Sequence, residues 1–192
     1  MHIAIEGLDG VGKTTTCKEL ADRIGYKFVE KPLHYLFDPP KTFDNYIKIR
    51  DYVNDQTNRK FTSWFYGLGN ILTYHLFENE NFITDRHLVS NFLWSGDESS
   101  RPVFDCLIKL IGKPDITILL FADEDTIKSR ISKRSKNDKD LEKAHLSKFA
   151  IKKMEQFLND YDMKYFKLNS SHLEIEQVVD SIMAILKKEG IL

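Results

Sequence analysis

The 192-residue chain predicts an α/β fold, with a parallel sheet carrying helices on both faces. Three observations carry that expectation. Short apolar runs alternate with longer stretches of helical period. One run, Asp115-Ile116-Thr117-Ile118-Leu119-Leu120-Phe121, is apolar and β-branched almost throughout, as in a strand covered on both faces. A glycine-rich turn separates the first apolar run from the first helical pattern.

Each element has its own signal. His2–Glu6 reads as the first strand. Residues 14–24 place Cys17, Leu20, Ala21 and Ile24 at helical spacing, and Gly25 follows where glycine commonly ends a helix. Residues 26–30 form the second strand. Residues 42–76 are helical, with a break near Asn58. Residues 81–84 are the third strand, which ends at Asp85. Residues 115–121 are the fourth strand, and residues 125–134 and 143–159 are helical. Residues 165–168 are the last strand. Residues 174–188 close the chain, with Ile175, Val178, Val179, Ile182 and Ile185 on one stripe. No internal repeat or low-complexity tract interrupts this order. In such sheets ligands gather at the carboxyl ends of the strands. Chemistry is therefore expected just after Glu6, Glu30, Thr84 and Phe121.

Composition narrows the function classes. A content of 42% hydrophobic and 30% charged residues is ordinary globular usage. With 28 basic against 29 acidic residues and a net charge of -1, no nucleic-acid polymer is expected as a partner. Anion binding must come from local clusters. Cys17 and Cys106 have no metal-ligand spacing and read as free thiols of a reducing compartment. No basic segment precedes an apolar leader at the N-terminus. The longest apolar stretch, residues 118–122, is too short for a bilayer. One cytoplasmic domain over residues 1–192, with no membrane partner, is expected.

After the first strand comes Gly7-Leu8-Asp9-Gly10-Val11-Gly12-Lys13-Thr14, which fits G-x-x-x-x-G-K-S/T. Its glycines permit a tight loop with N–H groups turned inward at phosphate oxygens. The loop opens a helix, whose N-terminus favours anions. Lys13 is expected to reach the β- and γ-phosphates of ATP, and the Thr14 hydroxyl to ligate Mg²⁺. The third strand ends in Asp85-Arg86-His87. Asp85 suits a Mg²⁺ site or an acceptor contact. Arg86 offers a planar fork for an acceptor phosphate. A plain Asp–Arg salt bridge is the competing reading.

Three stretches resemble the thymidylate kinase family, within the larger group of P-loop nucleoside and nucleotide kinases. They are Ile5 through Thr15, including the acid Asp9; Asp85-Arg86-His87-Leu88-Val89-Ser90 running on to Trp94-Ser95-Gly96; and Lys113-Pro114-Asp115-Ile116-Thr117 with the strand, acidic turn and arginine-bearing helix after it. The resemblance implies a three-layer P-loop NTPase fold, a five-stranded parallel sheet flanked by helices, and a short basic lid near residues 128–143. It also implies Mg-ATP as donor and commonly a homodimer.

Residue roles follow from the same resemblance. Gly7, Asp9, Gly10, Val11, Gly12, Lys13, Thr14 and Thr15 would line the nucleotide and acceptor sites, with Asp9 on the acceptor's 3′-hydroxyl. Asp85 and Ser90 belong to the second stretch. Lys31 stands where the family places an acceptor-phosphate arginine, keeping the charge without the fork. Phe65 matches the aromatic that stacks on the acceptor base, although Phe61, Trp64, Phe65 and Leu68 also read as a core stripe. Lys128, Arg130, Lys133, Arg134, Lys136, Lys139 and Lys143 crowd the lid stretch. Arg130 and Arg134 match lid arginines that close on ATP, and with Gly10 where some members carry an arginine, the stabilising cation is expected from one of these two.

The chain departs from the family in places. Gly69 and Asn70 stand where an arginine reads the thymine edge. Glu30-Lys31-Pro32 replaces an Arg-Glu-Pro-Gly-Gly run, and Trp94 replaces a smaller aromatic. The leading expectation is a nucleoside monophosphate kinase acting on dTMP or a relative. The alternative is a deoxynucleoside kinase with Glu30 as base. A nucleotide-dependent switch is the third reading.

Overall fold

The computed structural model describes residues 1–40, 42–134 and 139–192. The side chains of Arg134, Lys139, Asp140, Glu142 and Lys143 fall outside that description, as does Lys136. Five parallel strands form one sheet: β1 His2–Glu6, β2 Lys27–Glu30, β3 Phe82–Asp85, β4 Ile116–Phe121 and β5 Tyr165–Asn169. Their order is β2-β3-β1-β4-β5. All five were legible in the sequence, with ends differing by a residue. β1 is buried at all five positions, because a central parallel strand is covered on both faces. The chain leaves β1 toward β2 and β3 on one side and returns to β4 on the other. That reversal opens a crevice at the carboxyl end of β1.

Helices flank the sheet. α1 Lys13–Ile24 packs on α9 Ile175–Lys188 and against β3. α4 Arg59–Leu76, α5 Leu88–Ser95, α6 Arg101–Ile111 and α8 Ser147–Asp160 pack on one another. The shorter α2 His34–Phe37 leads to α3 Asp44–Asn54, and α7 Glu124–Arg134 follows β4. The break expected near Asn58 is an N-cap: its side chain accepts the Phe61 N–H at 3.2 Å. α9 opens with a reciprocal cap between Glu174 and Gln177. A 3-10 run, Lys139–Leu146, precedes α8, so regular helix begins later than residue 143.

Among the described residues, three helices have no counterpart in the reading of the sequence. α5 reads Leu-Val-Ser-Asn-Phe-Leu-Trp-Ser and is buried at seven positions, so it has no polar face to mark its period. α2 is one turn. α6 did carry a signal: Pro102 in its first turn, Gly112 after its end, and Val103, Phe104 and Leu107 buried at helical spacing. The core gathers Ile3, Ile5, Ile83, Ile116, Ile118 and Leu119 from the sheet with Phe104, Phe157, Leu107 and Val179 from the helices.

Candidate active site

The phosphate loop runs from the end of β1 into α1. Gly7 has φ 145°, and a Cβ there would lie 2.3 Å from the Leu120 carbonyl oxygen. No other residue lets the loop pass β4 so closely. Gly12, at φ 98°, is the N-cap of α1 and offers no side-chain cap. The first-turn N–H groups of α1, at Lys13, Thr14 and Thr15, therefore face the crevice without a capping side chain, as an anion site requires. Lys13 is buried and donates to the Leu8 carbonyl at 2.6 Å. Burial pulls its pKa down, and the nearby charge of Arg86 adds to this.

Sheet register brings the second motif to the loop. Asp85 pairs with Ile5 across β3 and β1, and with Glu30 across β3 and β2. The Thr14 hydroxyl donates to Asp85 Oδ2. Asp85 Oδ1 is buried with no hydrogen-bond partner. A hydroxyl beside a carboxylate with one buried oxygen unsatisfied fits Mg²⁺, which takes few protein oxygens and completes its shell with phosphates and water. The residues expected to hold the metal are thus brought together.

Arg86 adopts the left-handed region at φ 75°, which turns its side chain back over the loop. Its guanidinium donates to the Asp9 carboxylate, to Ser90 Oγ at 3.2 Å and to the Gly7 carbonyl at 3.4 Å. Burial opposes its charge, but Asp9, Asp85 and Glu6 outweigh that and hold it firmly protonated. Glu6 supports this turn from below. Its buried carboxylate accepts the N–H groups of His87 at 2.8 Å and Val89 at 3.2 Å, and the Ser90 hydroxyl. Burial pushes the Glu6 pKa up against those hydrogen bonds and the charge of Arg86. Glu6 escaped the sequence reading, where it looked like the polar end of a strand. Ser90, expected to bind ligand, is engaged with Glu6 and Arg86 and so positions the guanidinium.

α3 and α4 pack together and bring tyrosines into the field of Arg86. Tyr46 is almost fully buried, and Tyr66 donates to Asn54 Oδ1 at 2.5 Å. Burial raises both phenol pKa values, while Arg50 and Arg86 pull against it, so both tyrosines sit in the field of two cations. Asn91 donates to the Ser63 carbonyl at 3.2 Å and to Asn70 Oδ1 at 3.4 Å, a buried amide pair under the same wall. Of these, Asn70 was marked in the sequence only as a departure from the family, and the others carried no spacing signal. Phe65 is half-buried.

A family model described as thymidylate kinase matches residues 5–182. The chain belongs to the thymidylate kinase family. A probable thymidylate kinase of Thermoplasma volcanium is 30% identical over 176 residues, covering 85% of this chain and 87% of its own. Among solved structures, a thymidylate kinase from Candida albicans matches with TM-score 0.70 at 18% identity, over 99% of this chain and 92% of its own. A deoxyadenosine kinase from M. mycoides with bound dCTP matches with TM-score 0.65 at 23% identity, over 98% of this chain and all of its own. At such identities the likeness shows the fold, that of the P-loop nucleoside and nucleotide kinases. As a thymidylate kinase family member, the chain is an ATP-dependent phosphotransferase.

Two residues of the expected site, Lys31 and Arg130, make contacts within the chain. Lys31 has φ 46°, and its ammonium sits 3.1 Å from Glu30 Oε2 and 5.1 Å from the centre of the Phe43 ring. Its charge is engaged there. Arg130 donates to the Ser170 carbonyl at 2.7 Å, to Ser170 Oγ at 3.1 Å and to the Val11 carbonyl at 3.3 Å. It stitches α7 to the phosphate loop and to the turn after β5. Arg134, the other arginine expected in a lid, has its side chain outside the described residues. Phe61, Trp64 and Leu68 do not form a core stripe with Phe65: they are 45%, 43% and 45% exposed. The buried face of α4 is instead made of small and polar residues, among them Thr62, Ser63, Gly67, Gly69 and Asn70.

Proposed function

We propose that this family member transfers the γ-phosphate of ATP to a nucleoside monophosphate, dTMP or a related (deoxy)nucleotide. The observation that carries this reading is Arg86. A permanently charged fork, braced by Asp9, Ser90 and Glu6, stands one loop away from the phosphate cradle. An acceptor phosphate brings a negative charge that such a fork can hold through two hydrogen bonds, which a neutral nucleoside hydroxyl does not bring.

The chain's residues would divide the work as follows. The first-turn N–H groups of α1 and Lys13 hold the β- and γ-phosphates. Thr14 and Asp85 would hold Mg²⁺, which when bound offsets phosphate charge. Arg86 orients the acceptor phosphate, and Asp9 takes the acceptor's 3′-hydroxyl. Phe65 stacks on its base. The attacking phosphate oxygen is already ionised, so no side-chain base is required. Rate comes from positioning and charge neutralisation. Arg130 keeps the loop and α7 in register, and Arg134 is the proposed mobile lid cation. Lys31, paired with Glu30, supplies positive charge at the carboxyl end of β2.

Residues 1–192 act in this reading as one kinase domain. A homodimer in the cytoplasm is the proposed state, with the exposed stripe of Phe61, Trp64 and Leu68 as its face. No helix among the described residues is long and apolar enough to cross a membrane. A second reading has support from Glu30, whose backbone pairs with Asp85 at the same sheet edge, where a base for a nucleoside 5′-hydroxyl would stand.

A coupled ADP assay with Mg-ATP and a panel of nucleosides and nucleoside monophosphates separates the two. Turnover with monophosphates alone is expected. Turnover with nucleosides alone, lost in Glu30→Gln, would replace the leading reading with the second.

A further inference from the structure

In the sheet, β4 lies between β1 and β5. The loop after β1 crosses the end of β4 at Gly7 and meets Ser170, the first residue after β5. Ser170 is buried. Its hydroxyl oxygen lies 2.8 Å from the Val11 carbonyl oxygen and 3.2 Å from that of Phe121. A serine hydroxyl has one proton to give. The Phe121 carbonyl already accepts the Ser170 N–H at 2.8 Å, and Arg130 donates to Ser170 Oγ at 3.1 Å. The hydroxyl proton therefore goes to Val11, the shorter contact. Arg130 gives the same carbonyl a second donor at 3.3 Å. Two donors match the two lone pairs of a carbonyl oxygen.

The peptide joining Val11 to Gly12 is planar, with its carbonyl and N–H on opposite edges. A carbonyl held at Ser170 turns the Gly12 N–H the other way, into the hollow of the loop. Packing supports the same placement. A Cβ on Gly10 would lie 2.9 Å from Ile131 Cγ1, so α7 sits directly on the loop. Two other loop carbonyls are held by cations: Gly7 by Arg86 at 3.4 Å and Leu8 by Lys13 at 2.6 Å. Lys13 is the residue expected to turn to the phosphates, and the Leu8 carbonyl then loses its partner. Ser170 is neutral and buried, so its hold on Val11 is unaffected by the charge of an arriving nucleotide.

We propose that Ser170 is a positioning residue of the phosphate loop. Together with Arg130 it fixes the Val11 carbonyl, and so aims the Gly12 N–H at the phosphates of the nucleotide before they arrive. The inference rests on the reading of residues 7–14 as the phosphate cradle. A donor already aimed costs no reorganisation when the anion binds.

The test compares wild type with Ser170→Ala, which removes the hydroxyl and adds no bulk. Isotope-labelled glycine follows the Gly12 amide by NMR while inorganic tripolyphosphate is added with Mg²⁺. Equilibrium binding and steady-state kinetics use Mg-ATP, and thermal melting checks the fold. In wild type the Gly12 amide proton is expected to move downfield as the anion binds, as a charge-assisted hydrogen bond requires. In Ser170→Ala that movement should shrink, and Mg-ATP binding should weaken roughly 10-fold. The KM for ATP should rise by the same factor with kcat little changed, because the N–H holds the phosphates before and during transfer alike. Unchanged Mg-ATP affinity in Ser170→Ala, whatever its melting temperature, would overturn the inference and leave the cradle reading standing. So would a wild-type Gly12 amide that ignores tripolyphosphate, a result that needs no variant to fold. Failure of wild type to bind Mg-ATP would overturn the cradle reading, and this inference with it.

Discussion

At the scale of single residues, the site is a set of charges that burial would disfavour and neighbours retain. Lys13 is buried against a carbonyl and is drawn toward neutrality by desolvation. Phosphates arriving in the cradle supply the missing counter-charge. Lys13→Ala should lower turnover by about 10²-fold or more with the melting temperature little changed. Near-normal ADP formation by that variant would remove the loop assignment. Glu6 makes the opposite case. It touches no substrate position, yet three hydrogen bonds from Asp85-Arg86-His87 and its successors end on its carboxylate. Glu6→Gln forces an amide N–H toward one of those donors. A loss of about 1–3 kcal/mol in stability is expected, read from urea midpoints. The KM for acceptor should rise more than the KM for ATP, because Arg86 loses its brace. A variant with equal changes in both KM values would make Glu6 a folding residue alone.

At the scale of elements, α5 is the piece that holds Arg86 and the buried amides of α4 in place. Its buried face brings Ser90 to Arg86 and Asn91 to Asn70. Lys153 on α8 donates to the Leu93 and Gly96 carbonyls at 2.9 and 2.8 Å, closing the end of α5. Behind it, Phe92, Phe104 and Phe157 pack with ring centroids 4.7 to 5.5 Å apart. Phe104→Ala removes the fully buried centre of that trio and should cost about 3–5 kcal/mol in chemical denaturation. A cost under 1 kcal/mol would mean the trio re-closes around the gap. α4 presents the contrasting surface. Trp64→Glu on its exposed stripe should shift a dimer to monomer in sedimentation velocity, and an unshifted dimer would place the interface elsewhere.

At the scale of the whole molecule, pH acts through a histidine buried at the start of the central strand. His2 hydrogen-bonds Tyr74 at 2.7 Å and Thr84 at 2.9 Å and stacks on Phe82. Burial first, then His87 and the N-terminus, push its pKa well below the ordinary value. The unfolded chain therefore takes up a proton near pH 6.5 that the folded chain refuses. Stability should be full above about pH 6.5 and fall as pH drops below it. Urea midpoints at pH 7.5 and 5.5 should differ in that sense, and by less in His2→Gln. Glu6, whose pKa burial raises, works in the opposite sense at lower pH. A midpoint that rises on acidification would show that Glu6 outweighs His2.

The sequence by itself determined the strands, the phosphate loop and the Asp85-Arg86 pair. These rest on local rules: a two-sided apolar run, a glycine pattern that frees backbone N–H groups, and a charged end on a buried strand. Only the tertiary structure decided what stands opposite each of them. Register set Asp85 beside Thr14, and a buried Glu6 turned Arg86 over the loop. Arg130 was expected as a lid cation from the family resemblance, and only the tertiary structure showed its hydrogen bonds to residues 11 and 170–173. The approach of Pro32 and Leu33 to Gly69 carried no signal, because contact between segments far apart in the chain leaves no periodic trace. Which polar group meets which is fixed by packing, and packing is settled across the whole core at once.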